Sequence, residues 1–101
     1  KRLFFYKPAA AVVTCRRGGA GNTFDQLNKY FTIKQMPVVA STYWNNVFGR
    51  VPGDADGDAE GLATMRNIGK NMAWLLRCIE AGQAAGINAP EADRATTNFI
   101  R

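Results

Sequence analysis

The sequence contains no histidine and only two cysteines, and these scarcities exclude several kinds of site. Without histidine there is no Ser-His or Cys-His nucleophile pair and no histidine-ligated zinc or haem. Cys15 and Cys78 lie far apart in the sequence. A disulfide would satisfy that count, but two cysteines in a chain without a secretory signal more often stay reduced. We therefore expect two free thiols and a cytoplasmic protein.

The sequence also lacks any long hydrophobic run. No stretch approaches the roughly 20 apolar residues that a membrane-spanning helix needs, and the apolar segment at 3–6 is too short for a signal peptide. Of 101 residues, 47% are hydrophobic and 21% are charged, a composition that excludes global disorder. The chain is therefore expected to be one small globular domain, or a piece of a larger one, with no membrane partner.

Acidic residues are scarce in the first half of the chain. Residues 1–50 contain eight Lys or Arg against the single Asp25, whereas residues 51–101 contain five against seven Asp or Glu. The first half thus has a charge of +7 and the second half −2. Such an excess favours an anionic partner such as a phosphate or nucleotide, although a solvated basic surface explains it equally well. Nucleic acid is disfavoured because aromatic residues do not interleave with the basic ones.

Three short segments predict a βαβ unit. Residues 9–15 form a continuous apolar run that ends in β-forming residues, which is typical of a strand buried on both faces. Thr23 and Gln26 have the spacing of a capping box, and they predict a helix of about two turns that begins at Thr23. Residues 36–41 predict a second buried strand, with Pro37 near its start.

The second half predicts a long connection and a long helix. Residues 42–59 are expected to form a connection, which at this length usually has a function. A helix is predicted from Glu60 to Ala81, with Gly82 ending it and 83–101 as a tail. Its apolar stripe is Leu62, Met65, Ile68, Met72, Leu75, Leu76 and Ile79. Trp74 lies on the flank of this stripe and is interpreted as an interface residue or, equally, a core one. Because two parallel strands leave both sheet edges open, the chain is expected to be about half of a domain.

A glycine-rich segment, TCRRGGAGNT at 14–23, lies between the first predicted strand and the first predicted helix. In open α/β sheets, ligands bind at this position. Glycines allow close approach of the backbone to a ligand, and successive N–H groups at a helix N-terminus favour an anion. The alternative is a glycine-rich turn with solvent-exposed arginines. A Walker A loop is excluded and a dinucleotide fingerprint is weak, because Phe24 occupies its third glycine position.

Two further motifs lie in the middle of the sequence. Asp54, Asp56 and Asp58 have the spacing of calcium ligands, but Ala59 and Met65 stand where an EF-hand needs Gly and Glu, so a solvated acidic loop is favoured. Tyr43 and Trp44 follow the second predicted strand. Adjacent aromatic side chains at that edge suit stacking on a planar ring, a subunit interface or simple core packing.

Several runs of sequence resemble the flavodoxin-like NAD(P)H-dependent FMN reductases, a group that includes multimeric flavodoxins and iron–sulfur flavoproteins. The matching runs are KPAAAVVTCRRGG at 7–19, FDQLNKYFT at 24–32, MPVV at 36–39, YWN at 43–45, GL at 61–62, MR at 65–66, Gly69, NMAWLL at 71–76 and TNFIR at 97–101. The resemblance implies an α/β fold, the flavodoxin-like three-layer parallel sheet. Residues 1–101 would be the C-terminal half of one FMN-binding domain, supplying its last two strands and last two helices, and Leu3, Phe4 and Phe5 would end the preceding helix.

The same resemblance implies an FMN-dependent oxidoreductase that uses NAD(P)H and forms a homodimer or homotetramer. The residues it implies at the flavin are Thr14, Cys15, Arg16, Arg17, Gly18, Gly19, Tyr43 and Trp44. The arginines would meet either the flavin ring or the phosphate of NADPH. The phosphate-binding loop of the family and the cysteine cluster of its iron–sulfur relatives fall outside the match, so we expect weak FMN binding or none. The alternative is a non-catalytic truncated module that acts through self-association or partner binding.

Overall fold

The computed structural model describes residues 2–99. Its regular elements are β1 (Val13–Cys15), α1 (Ala20–Ile33), β2 (Asn46–Phe48), a 3₁₀ turn (Asp54–Gly57) and α2 (Ala59–Ala84). β1 and β2 pair in parallel, with Val13 opposite Asn46 and Cys15 opposite Phe48. α1 connects the two strands and packs on β1, while α2 packs on β2. The predicted α/β class and the parallel βαβ unit are confirmed, and the arrangement corresponds to part of a flavodoxin-like fold.

The pairing of the two strands is interrupted. A separate parallel bridge joins Ala9 to Val38, and regular pairing resumes only at Val13 and Asn46. Between these two points the first segment advances four residues and the second advances eight, so four extra residues leave the sheet. The predicted strand at 36–41 is therefore wrong beyond its bridge at Val38. The regular strand lies inside 42–59, which was predicted as a connection.

α1 is longer than predicted, and its start differs. It begins at Ala20 with Gly19 as N-cap at φ 88°, and it has no side-chain cap. The left-handed backbone of Gly19 turns the chain directly from the end of β1 into the helix, which only glycine does without strain. Thr23 therefore lies in the first turn, where its hydroxyl donates to the Gly19 carbonyl at 3.0 Å. The predicted capping box of Thr23 and Gln26 is wrong.

α2 is the longest element, and its ends are defined by two caps. At its start, Asp58 Oδ1 accepts a hydrogen bond from the Gly61 N–H at 2.9 Å. At its end, the Ile87 N–H donates to the Gly82 carbonyl at 2.8 Å and the Gly86 N–H donates to the Gln83 carbonyl at 3.0 Å. These bonds, with Gly86 at φ 84°, form a Schellman motif. The helix thus ends at Ala84, and the prediction that Gly82 ends it is wrong because the left-handed residue is Gly86.

The buried core is small. Its apolar members are Ala9, Ala11, Ala20, Val39 and Ile68. The radius of gyration is 17.3 Å, against about 13 Å for a compact domain of this length. Within the described chain the first strand is not buried on both faces, because Val12 is 57% exposed and Thr14 is also exposed. The described part of the chain supplies no third strand or further helix to cover them.

The ends of the described chain lie against each other. Arg94 stacks over the Phe5 ring at 5.6 Å from its centroid, and the Arg2 guanidinium pairs with Glu91 at 3.0 Å. Residues 2–6 form turns instead of the predicted helix end, with Tyr6 at φ 63°. The predicted tail is irregular from 85 to 99, and its last two residues lie outside the described part. Within residues 2–99 neither helix has the length and hydropathy to span a bilayer.

The two glycines in the N-terminal half of α2 give a matched stability test. A Cβ on Gly61 would lie 2.8 Å from Asp58 Cγ and 3.1 Å from the Asn46 carbonyl oxygen, whereas a Cβ on Gly69 meets nothing within 4 Å. We expect Gly61→Ala to lower the free energy of unfolding by about 1–3 kcal/mol through overpacking. Gly69→Ala should raise it by roughly 0.5–1 kcal/mol through helix propensity. Urea unfolding of both variants measures the difference, and equal effects would contradict the tight approach at Gly61.

Candidate functional site

A cleft at the carboxyl end of the two strands brings together the two segments that the sequence singled out. Its volume is about 270 Å³, and its lining residues are Arg17, Gly18, Gly19, Ala20, Gly21, Tyr43, Trp44, Asn46 and Phe48. Because the carboxyl ends of parallel strands meet at one edge of the sheet, the loop after β1 and the segment before β2 face the same space. Five of the eight predicted residues therefore line one cleft.

One wall of the cleft is the start of α1. The first N–H groups of an α-helix have no partner within the helix, and Gly19 supplies no side chain to cap them. A Cβ placed on Gly18, Gly19 or Gly21 would meet nothing within 4 Å, so the backbone here is open to a ligand. This wall thus offers N–H donors and the positive end of a helix dipole.

The opposite wall is aromatic. The rings of Tyr43 and Trp44 lie 5.0 Å apart between centroids and are tilted by 38°. Both side chains remain more than half exposed, at 57% and 58%. Two exposed aromatic rings beside a row of backbone donors suit a flat heteroaromatic ligand whose edge carries hydrogen-bond acceptors.

The remaining predicted residues lie beside the cleft. Thr14 and Cys15 belong to β1, opposite Val47 and Phe48, and Arg16 follows the strand. The Gly49 N–H donates to the Cys15 carbonyl at 3.2 Å, so the strand ends are joined directly below the cleft. These three residues are adjacent to the cleft without lining it.

Positive charge surrounds the cleft and is not neutralised. Arg16, Arg17 and Arg50 are exposed in the loops that follow β1 and β2. Within residues 2–99 the structure pairs none of these three guanidinium groups with a carboxylate, and the ion pair of Arg2 with Glu91 lies at the chain ends. Unpaired arginines at a ligand edge attract anionic groups.

A second cavity of about 240 Å³ adjoins the cleft and shares Tyr43, Asn46 and Phe48 with it. Asp58 lies on its floor and joins β2 to α2. Its Oδ2 accepts the Phe48 N–H and its Oδ1 accepts the Gly61 N–H, both at 2.9 Å. These two hydrogen bonds, led by the one from Phe48, lower the pKa of Asp58 below its usual 3.8. The sequence predicts a solvated acidic loop whose last carboxylates lie near a helix N-terminus, but it does not single out Asp58 as the cap. An Asp before an apolar helical stripe is the signal that reveals it.

Sequence reasoning also missed Asn45, the most deeply buried polar side chain at 2% exposure. Its Nδ2 donates to the Ala11 carbonyl at 2.9 Å, and its Oδ1 lies 2.6 Å from the Ser41 hydroxyl. Its backbone carbonyl accepts the Val13 N–H at 2.9 Å. Asn45 thus returns the chain to the sheet directly after Tyr43 and Trp44. No pattern in a single sequence distinguishes such an asparagine from a surface one.

The cysteines form no metal site. Both are free thiols, as expected, with Cys15 half-buried at the end of β1 and Cys78 exposed on α2. In the part of the chain that the structure describes, no group of three or more His, Cys, Asp or Glu side chains could hold a metal ion.

Comparison with known proteins finds a relative among the curated ones. The chain is 36% identical over 77 residues to an iron–sulfur flavoprotein of Methanocaldococcus jannaschii, an alignment that covers 71% of this chain. The chain spans 40% of the length of that relative. No protein-family model matches the chain, and no solved structure matches it. The chain is thus similar to a flavoprotein over most of its own length, in agreement with the resemblance seen in its motifs.

The lowered pKa of Asp58 predicts a pH dependence of stability. Since its pKa is lower in the folded chain than in the unfolded one, its contribution is complete above about pH 4 and is lost as the pH falls through the folded value. Asp58→Asn should lower the urea midpoint at pH 7, and the difference from the unchanged protein should shrink by pH 3. Asp56→Asn, at an exposed position of the neighbouring 3₁₀ turn, is the control. A difference that is constant with pH would contradict the assignment.

Proposed function

We propose that this chain is part of an FMN-dependent oxidoreductase that transfers electrons between NAD(P)H and another acceptor through bound flavin. The observation that carries the proposal is the cleft, which places an uncapped helix start opposite two exposed aromatic rings. Similarity to a flavoprotein supports the same ligand. The absence of histidine does not oppose it, because hydride transfer through a flavin requires no protein acid or base.

In this proposal the loop after β1 binds the pyrimidine edge of the flavin. Backbone N–H groups of Gly18 and Gly19 donate to the ring carbonyls, and Tyr43 and Trp44 cover the ring. Thr14, Cys15 and Arg16 support the loop from the end of β1. When bound, the flavin supplies the redox chemistry, and positive charge from Arg17 and the α1 start stabilises the negative charge of its reduced form.

The proposal also accounts for the size of the cleft. Ligand pockets are usually about 300–1,000 Å³, and the volume here is about 270 Å³. A cleft at the lower limit suits one edge of a flavin better than the whole cofactor. The proposal also includes NAD(P)H as the electron donor, a homodimeric or homotetrameric assembly and a cytoplasmic location. These are properties of a whole protein, and the chain spans 40% of the length of its relative.

Flavin titration tests the proposal. Addition of the protein to FMN should quench flavin fluorescence, because an aromatic ring lies in van der Waals contact with the bound flavin. Trp44→Ala should raise the Kd about tenfold, roughly 1.4 kcal/mol of stacking and burial. Trp74→Ala is the matched control. Trp74 is also exposed, at 66%, but it lies on α2 and does not line the cleft.

Comparison of FMN with riboflavin, which has the same ring and lacks the phosphate, shows which part of FMN the cleft binds. If the cleft holds the ring edge, riboflavin and FMN should bind with similar affinity. Much tighter binding of FMN would instead place its phosphate at the start of α1. Absence of quenching by either flavin at millimolar protein, or equal effects of Trp44→Ala and Trp74→Ala, would contradict binding of the flavin ring in this cleft.

A second candidate is a non-catalytic module that acts by self-association, and the large exposed surface favours it. The accessible surface is 8075 Å², against roughly 5,700 Å² for a compact protein of this mass. The excess of about 2,400 Å² exceeds the roughly 800 Å² per partner that a stable interface buries. The outer edge of β1 is unpaired and can accept another strand.

Sedimentation measures this association. We expect a molar mass at a multiple of 11.1 kDa at micromolar concentration. Val12→Lys, next to the open edge of β1, should lower that mass, because a lysine on a sheet edge opposes pairing. Val51→Lys is the control, since Val51 is equally exposed, at 55% against 57% for Val12, and lies outside the strands. A monomer at all concentrations, or equal effects of both substitutions, would contradict this candidate.

A further inference from the structure

The segment that presents the aromatic wall is held by side-chain amides and not by regular sheet pairing. Residues 40–44, which include the four extra residues, lie outside the sheet between its two paired regions. Because their backbone lies outside the ladder, the position of Tyr43 and Trp44 depends on other contacts. The Asn46 N–H donates to the Trp44 carbonyl at 2.7 Å, and three asparagine side chains supply the other contacts.

Two of the three asparagines lie one turn apart on α2. Asn71 Nδ2 donates to the Ala40 carbonyl at 2.7 Å, and Asn67 Nδ2 donates to the Thr42 hydroxyl at 3.0 Å. Residues four apart on a helix share one face. This face of α2 therefore holds the start of the segment.

The third asparagine holds the end of the segment. Asn45 bonds the Ala11 carbonyl of the first strand region and lies against Ser41. Ser41 in turn contacts the Tyr43 backbone, with its hydroxyl 2.6 Å from the Tyr43 carbonyl and 3.3 Å from the Tyr43 nitrogen. The aromatic pair is thus fixed from both sides, with the sheet at its carboxyl end and α2 at its amino end.

We propose that Asn45, Asn67 and Asn71 are positioning residues that set the aromatic wall of the cleft and thereby determine its affinity for the flavin ring. The inference rests on the proposed function and extends it, because it assigns a role at the cleft to residues of α2 that do not line it. A bound ring gains from an aromatic wall only when that wall is already ordered, since ordering it on binding costs conformational entropy. The amide hydrogen bonds supply that order in advance.

The arrangement is not explained by the stability of α2 alone. Asparagine is a poorer helix former than alanine, so an exposed helix gains nothing from Asn67 and Asn71 by propensity. Replacement of either by alanine favours the helix while it removes one hydrogen bond to the 40–42 segment. The gain in helix propensity and the loss of the hydrogen bond have opposite effects on stability. Only the loss of the hydrogen bond affects the position of the aromatic pair. Ligand affinity and the environment of Trp44 therefore separate positioning from folding.

The experiment uses the full chain with Trp74→Phe, so that Trp44 is the only tryptophan. Asn67→Ala, Asn71→Ala and the double variant are compared with Gln83→Ala, an amide-to-alanine change on the exposed side of the same helix. Asn45→Ala is added, although loss of a buried amide there could unfold the chain. Near-ultraviolet circular dichroism and acrylamide quenching report on the Tyr43–Trp44 pair without flavin, and flavin quenching gives the Kd for FMN and riboflavin.

We expect each single variant on α2 to raise the Kd about fivefold and the double variant about 20-fold, corresponding to roughly 1 kcal/mol per hydrogen bond. Both should weaken the near-ultraviolet signal and increase quenching of Trp44, while the urea midpoint changes little. Gln83→Ala should change none of these. If the Trp74→Phe parent binds flavin and the Asn67 and Asn71 variants bind it equally well, the inference is overturned and the proposed function stands. A parent that binds neither flavin overturns both the inference and the assignment of the flavin ring to this cleft.

Discussion

The hydrogen bond from the Asn45 side chain to the Ala11 carbonyl is the interaction on which the position of the candidate site depends. A parallel ladder normally aligns its strands residue by residue, and four extra residues in one strand would break that alignment. Here the amide of Asn45 satisfies a carbonyl that the displaced backbone no longer reaches. Its burial to 2% exposure shields this bond from competition with water. The sheet can therefore continue into β2 while an aromatic pair stands outside it.

The thin core gives these polar contacts unusual weight. Five small or medium apolar side chains are buried, so burial of apolar surface constrains the loops less than it does in a compact domain. Asp58, Asn67 and Asn71 take over that role by connecting α2 to β2 and to the 40–42 segment. The exposed surface beyond these contacts agrees with a chain that spans 40% of its curated relative.

The sequence predicted the elements better than it predicted their limits. The apolar stripe on α2 and the strand–helix–strand order followed from periodicity, which tertiary context does not alter. The N-terminal limit of α1 was missed because Gly19 begins the helix through its backbone conformation, which leaves no side-chain signal. The second strand was displaced because a continuous apolar run at 36–41 looked more like a buried strand than Asn46–Phe48 did. Regular pairing at Asn46–Phe48 depends on the hydrogen bond from Asn45 to Ala11 and on the position of β1. Both are contacts between residues far apart in the sequence, which local patterns do not reveal.

The two helix starts in this chain differ in a way that bears on the site. α2 begins at a carboxylate, and Asp58 saturates both of its oxygens with N–H groups of Gly61 and Phe48. α1 begins at Gly19, with open donors on its first turn and arginines beside it. Ser, Asp and Asn are the usual capping residues, but Gly19 is left-handed at φ 88°, a backbone conformation that glycine adopts without strain and residues with a side chain rarely do. A glycine gives up that side-chain bond and leaves the donors facing the cleft. A ligand with acceptors on a flat edge, placed against Tyr43 and Trp44, would restore the missing bonds and bury the exposed rings together.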